Sequence, residues 1–168
     1  QEECVRNGTK FLTTIYNVAE VSLVAKLGLT TVKLGNGEWE EQGLVDALRE
    51  LPDVRVLRSF HYTESLWGTI LEPLLVTVAR YPANERACLA AIARLGYAGG
   101  AKQCTTNTEP TVVGYSDHSI GLEMAKWAMD CGAQVMEKHV CLGMQKQARP
   151  PQEYEAYTDE FAELRKYA

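Results

Sequence analysis

Short apolar runs rich in β-branched residues alternate along the chain with amphipathic stretches, and that alternation restricts the fold to parallel strands joined by crossover helices. The predicted class is α/β with about six strands: Phe11 to Ile15, Thr30 to Leu34, Val54 to Ser59, Leu74 to Ala79, Val112 to Ser116 and Gln134 to His139. Helices are expected between them. One is Val18 to Leu27, with Ala19, Leu23 and Leu27 spaced by four, and another is Leu122 to Cys131. Gly28 and Gly132 are placed to end these helices, because glycine accepts the left-handed conformation of a C-terminal cap. The last helix is expected to start near Thr158, whose hydroxyl can cap it, and carries Phe161 and Leu164. Two stretches fit the alternation badly. His61 to Pro73 is short for a crossover helix, and Gly96 to Pro110 reads as a long polar loop.

With 168 residues, 46% of them hydrophobic, the chain can bury one ordinary core but not two. The net charge of -5 is spread along the sequence, so the basic stripe that nucleic acid requires is missing. No apolar run approaches the roughly 20 residues that span a bilayer, and the first residues do not resemble a signal peptide. A cytoplasmic protein with neither nucleic acid nor membrane as partner is expected. The five cysteines, Cys4, Cys88, Cys104, Cys131 and Cys141, form no C-x-x-C pair and are read as reduced, small apolar residues. Cys141, two residues beyond His139, either approaches a metal or packs beneath it.

The stretches most informative about chemistry are V-V-G-Y-S-D-H-S-I-G-L-E from Val112 and, one strand-helix unit later, Q-V-M-E-K-H-V from Gln134. Each histidine ends a strand, and parallel α/β sheets collect their active sites at the carboxy ends of strands. Neighbouring strands lie about 4.8 Å apart, so His118 and His139 can reach one cation, with positions left open for water and substrate oxygens. Alternation along each strand puts Ser116 with His118 on one face, and Glu137 with His139 on one face of the next. Asp117 and Lys138 then point elsewhere, as a salt bridge or a helix cap. Earlier, T-V-K-L-G-N-G-E places Lys33 inside an apolar strand, where a buried cation is costly unless it meets an anion or reaches solvent. Gly35 and Gly37 allow close backbone approach, and Glu38 suits general acid-base work or acceptance of a sugar hydroxyl.

These motifs resemble those of the N-acetylneuraminate (sialic acid) synthase family. G-Y-S-D-H-S-I-G and V-M-E-K-H-V are similar to its G-Y-S-D-H-T-x-G and V-I-E-K-H-F. F-L-T-T-I-Y from Phe11 is similar to F-L-S-T-P-F, and V-K-L-G-N-G-E from Val32 to Y-K-I-G-S-G-E. V-A-R-Y-P ending at Pro82 echoes C-T-S-x-Y-P, and T-D-E-F-A-E-L from Thr158 echoes P-x-E-F-x-E-L. The resemblance implies a partial TIM (β/α)8 barrel and a C–C bond-forming transferase. The implied reaction condenses phosphoenolpyruvate with an N-acylated amino sugar of the N-acetylmannosamine type, with a divalent cation, Mn2+ foremost and Mg2+ or Co2+ as alternatives. It makes His118 and His139 the metal ligands. Thr14, Lys33, Asn36, Ser59 and Ser116 fall on positions that hold phosphoenolpyruvate, and Glu38 and Tyr81 on positions that line the sugar pocket.

The departures are equally specific. Asn36 stands where the family has serine, Ala79 where it has a polar residue, and A-R-P-P-Q-E where it has G-P-D-H. At V-L-R-S-F-H-Y either Arg58 or Ser59 takes the ligand-facing position. The chain starts after the family's first two strands and lacks its C-terminal antifreeze-like domain, so a fragment is expected. An open sheet with unpaired edges makes a homodimer a further candidate assembly. A legionaminic or pseudaminic acid synthase and a truncated, non-catalytic barrel are the alternative readings.

Overall fold

The computed structural model describes residues 1–64, 73–99, 112–143 and 150–167. The chain divides into two compact units, Gln1–Arg58 and Ser59–Ala168.

The first unit holds α1 (Glu2–Arg6), α2 (Val18–Lys26), β1 (Thr31–Leu34), a 3-10 turn at Glu38–Glu40, α3 (Gln42–Arg49) and the start of β2 (Arg55–His61). The Asn17 side chain caps α2 by accepting from the Glu20 amide at 3.2 Å, and the Glu20 carboxylate reaches back to the Tyr16 amide at 2.8 Å. Two otherwise orphaned donors are thereby satisfied. Gly28 follows the helix at φ 60°, as its position predicts. β1 and β2 are parallel, with Lys33 opposite Leu57 and Leu34 opposite Arg58. Ile15, Val21, Val24, Val32, Leu34, Leu44 and Leu48 belong to its core.

One expectation fails here. Phe11 to Ile15 is not a strand but a single bridge, Thr14 to Lys33. The Ile15 amide donates to the Lys33 carbonyl and the Lys33 amide to the Thr13 carbonyl, while Phe11 and Leu12 stay exposed. β1 itself runs over Thr31–Leu34. In α2 the buried residues are Val21 and Val24, not the row of Ala19, Leu23 and Leu27. Each row is apolar, so spacing alone does not say which one turns inward.

The second unit takes the end of β2 and continues with β3 (Leu74–Thr77), α4 (Glu85–Gly99), β4 (Val112–Asp117), α5 (Glu123–Asp130) and β5 (Val135–Lys138). A short parallel pair, β6 (Val140–Cys141) with β7 (Ala156–Tyr157), precedes α6 (Thr158–Tyr167). β3 pairs with β4 and β4 with β5, both parallel. The five strands of the main sheet follow chain order, β1-β2-β3-β4-β5. This is the expected α/β class, a partial TIM-type barrel.

The long polar loop from Gly96 is overturned in its first part, since α4 runs through Gly99. Cys88, Ala91, Ile92 and Leu95 supply a buried stripe at helical spacing, enough to offset the roughly 1 kcal/mol that an interior glycine costs. Gly100 to Pro110, Cys104 and most of the doubtful stretch between His61 and Pro73 lie outside the described residues. α6 starts at Thr158 itself, and the carboxylate that binds back at its entry is Glu160, which accepts the Tyr157 amide at 2.7 Å. Of the described cysteines, Cys88 and Cys141 are buried, Cys4 is partly exposed and Cys131 exposed; all four are free thiols.

Candidate metal centre

The register of β4 against β5 builds this site residue by residue. Ser116 lies opposite Glu137 and Asp117 opposite Lys138, so the next positions along the two strands are His118 and His139. Alternation sends the first and third couples to one face and the middle couple to the other. The side chains obey it. Ser116 Oγ donates to Glu137 Oε1 at 2.8 Å, and Lys138 Nζ meets Asp117 Oδ2 at 2.8 Å with both side chains fully buried. The imidazoles of His118 and His139 stand with ring centroids 5.4 Å apart. Of the two alternatives for Asp117 and Lys138, the salt bridge is the one formed.

His118 is 6% exposed and its ring is held in one orientation. Nδ1 lies 2.8 Å from the carbonyl oxygen of Val78. A carbonyl only accepts, so Nδ1 carries the hydrogen and Nε2 keeps its lone pair. Burial pushes the His118 pKa below its ordinary 6.5, outweighing the Val78 bond, which acts the other way. A neutral imidazole with a fixed tautomer is what a metal ligand needs. Two imidazoles bound to one cation at about 2.1 Å per nitrogen bring their centroids to roughly 5 Å, so the observed spacing fits the group. His139, in contrast, is exposed. Among the described residues no group of three His, Cys, Asp or Glu side chains is placed to hold a metal ion.

Two tyrosines enclose the pair. The Tyr81 ring lies 4.1 Å from that of His118 and 5.6 Å from that of His139, and Tyr154 lies 5.1 Å from both His139 and Tyr81. Tyr81 stands out in the sequence by its resemblance to a sugar-lining position. Tyr154 does not, because it sits outside every motif and periodic run, just beyond Pro150 and Pro151. Val78, whose backbone carbonyl orients His118, carries no side-chain signal at all. Cys141 is 1% exposed, packed in the interior. Ser59 is buried, and its Oγ has no hydrogen-bond partner among the described residues. Strand alternation puts Ser59 on the face of Leu57 and puts Arg58 on the other. Ser116 is likewise buried, already bonded to Glu137.

The remaining candidates belong to the first unit. Thr14 bridges to Lys33, which is half-buried. Asn36 Oδ1 is buried with no hydrogen-bond partner among the described residues. Glu38 lines an open cavity of about 440 Å³ with Tyr16, Asn17, Val18, Gly37, Glu41, Gly43 and Leu44. The tight approach at Gly35 is made by the Glu38 carboxylate itself, which a Cβ there would strike. Gly37 has open space around it among the described residues.

Solved structures share this architecture. An N-acetylneuraminic acid (sialic acid) synthetase from Leptospira borgpetersenii serovar Hardjo-bovis, determined with citrate, superposes at a TM-score of 0.78 and 23% identity, covering 99% of this chain and 58% of that one. The spore coat polysaccharide biosynthesis protein spsE from Bacillus subtilis superposes at 0.76 and 22% identity, over 99% of this chain and 48% of that one. The chain thus spans about half the length of these proteins. No curated protein matches it by sequence. The model of the NeuB family matches residues 72–167, more than half of the chain and all of the stretch that carries both histidines and both tyrosines. With the fold, the paired strand ends and this match in agreement, the chain belongs to the NeuB family.

Proposed function

We propose that the barrel to which this chain contributes condenses phosphoenolpyruvate with an N-acylated amino sugar of the N-acetylmannosamine type, giving a sialic acid. The observation that carries the proposal is the His118 and His139 pair, set side by side at the ends of β4 and β5 with His118 held neutral. Membership of the NeuB family and the likeness to a sialic acid synthetase support the class of reaction. Carbon 3 of phosphoenolpyruvate bonds to the sugar aldehyde carbon, water oxygen adds at carbon 2, and the bond from carbon 2 to the phosphate oxygen breaks. A divalent cation, manganese foremost, supplies Lewis acidity to the aldehyde oxygen when bound.

The chain's own residues do the rest. His118 and His139 present imidazole nitrogens to the cation. Tyr81 and Tyr154 narrow the approach to it and offer ring faces to the sugar. By the resemblance, Lys33, Thr14 and Asn36 of the first unit, and Ser59 and Ser116 of the second, fall on positions that hold phosphoenolpyruvate, and Glu38 on one that accepts a sugar hydroxyl. Pro151 and Gln152, close to where the family carries Asp and His, alter the sugar side of the site.

Manganese binding, followed by electron paramagnetic resonance of the free ion, tests this reading. Binding should vanish in a His118→Ala, His139→Ala double variant; equal affinity in the two proteins rejects the assignment. Phosphoenolpyruvate with manganese should also raise the melting temperature, since ligands that bind only the native state stabilise it. Product analysis with several acylamino sugars then names the sugar.

A further inference from the structure

The couple between the two functional couples on β4 and β5 faces away from the site, so chemistry cannot account for its charges. Asp117 and Lys138 side chains are both 0% exposed. Replacing such a buried pair by apolar residues is often neutral or stabilising, so the pair is a poor candidate for a stability device. What it does is join backbone to backbone around the histidines. Asp117 Oδ1 accepts from the Ser119 amide at 2.9 Å, Asp117 Oδ2 pairs with Lys138 Nζ at 2.8 Å, and Lys138 Nζ donates to the Ser119 carbonyl at 2.7 Å. The His118 peptide is thus bracketed on both sides, and Lys138 is the residue before His139. The His118 carbonyl is itself taken by the Ala83 amide at 2.9 Å.

We infer that Asp117 and Lys138 are positioning residues: a buried ionic clamp that fixes the turn carrying His118 against the strand end carrying His139, and so sets the separation and tilt of the two imidazoles. The inference rests on the reading that these histidines hold a divalent cation. Partners behind a ligand commonly change metal affinity by about 10-fold to 100-fold when removed. Here the effect comes from geometry rather than from a bond to the ligand ring.

The test is the whole chain carrying Asp117→Leu with Lys138→Met, which removes both charges together. The expected result is cooperative unfolding with a midpoint near that of the parent, manganese affinity reduced at least 10-fold, and an altered visible spectrum of bound Co2+. Unchanged affinity and spectrum in a folded double variant overturn the clamp. If that variant fails to fold, the near-isosteric Asp117→Asn takes its place with the same readouts: weaker binding with an altered spectrum upholds the clamp, and no change in either overturns it. If the parent binds no metal, the reading beneath the inference fails, and nitrogen-15 spectra of the His118 ring still decide the clamp. A single Nδ1–H tautomer in the parent that becomes mixed in the variant upholds it, and identical ring spectra reject it.

Discussion

The imidazole of His118 and the backbone carbonyl of Val78 form a 2.8 Å hydrogen bond across β4 and the end of β3, and this bond decides which ring nitrogen carries the hydrogen. Burial meanwhile holds the ring's pKa below 6.5. The folded chain therefore resists a proton that the unfolded chain accepts. Stability from this group is fully present above about pH 6.5 and is lost as pH falls below it toward the folded-state value. Denaturation with chelator present, at pH 7.5 and 5.0, should show a steeper acid loss in the parent than in His118→Asn, whose amide can still donate to Val78. Equal slopes would contradict the assignment.

His118 and His139 should also differ in reactivity. His139 is exposed and His118 is 6% exposed. Diethyl pyrocarbonate, followed by peptide mass analysis, should modify His139 well before His118, and saturating manganese should slow the reaction at His139.

Gly114 in β4 leaves no room for a side chain. A Cβ there would strike the Val135 carbonyl of β5 and come within 2.7 Å of Leu75 Cδ2 on β3. The first obstacle is backbone, so Gly114→Ala must push β4 and β5 apart. A loss of about 1–3 kcal/mol in chemical denaturation is expected, with weaker manganese binding because the same two strands carry both histidines.

α6 is anchored by packing rather than by charge. Leu164 is 2% exposed, and Leu164→Ala should cost about 2–5 kcal/mol. Lys126 reaches Glu163 at 2.7 Å, but Glu163 is 61% exposed and solvent screens the pair. Urea titration of Lys126→Ala should fall close to the parent curve.

Burial raises the Cys88 thiol pKa. Little thiolate is available and access is blocked, so iodoacetamide at pH 8 should label exposed Cys131 rapidly and Cys88 only on unfolding.

The strands most plainly legible in the sequence, β3 and β4, are those whose apolar runs are buried along nearly their whole length. Leu74 to Val76 are completely enclosed, and the run from Val112 to Ser116 is apolar but for its last residue. Phe11 to Ile15 carries a similar composition but is bridged to β1 at Thr14 and Lys33, and composition does not encode how much of a segment pairs. The faces of β4 and β5 can be read by counting in twos, which separates Asp117 and Lys138 from the histidines. Tyr154 cannot be found that way. Its place beside His139 depends on how the segment after β5 returns, and no spacing rule governs such a return.

His118 and His139 sit on the two strands of one β-α-β unit, β4-α5-β5, so a single crossover brings them together. Closing a loop of that length costs little chain entropy, and contacts between near neighbours in sequence form early in folding. The two imidazoles can therefore meet before more distant strands have found their places. The cation proposed for this pair would therefore tie together the two strand ends of one β-α-β unit rather than distant parts of the chain.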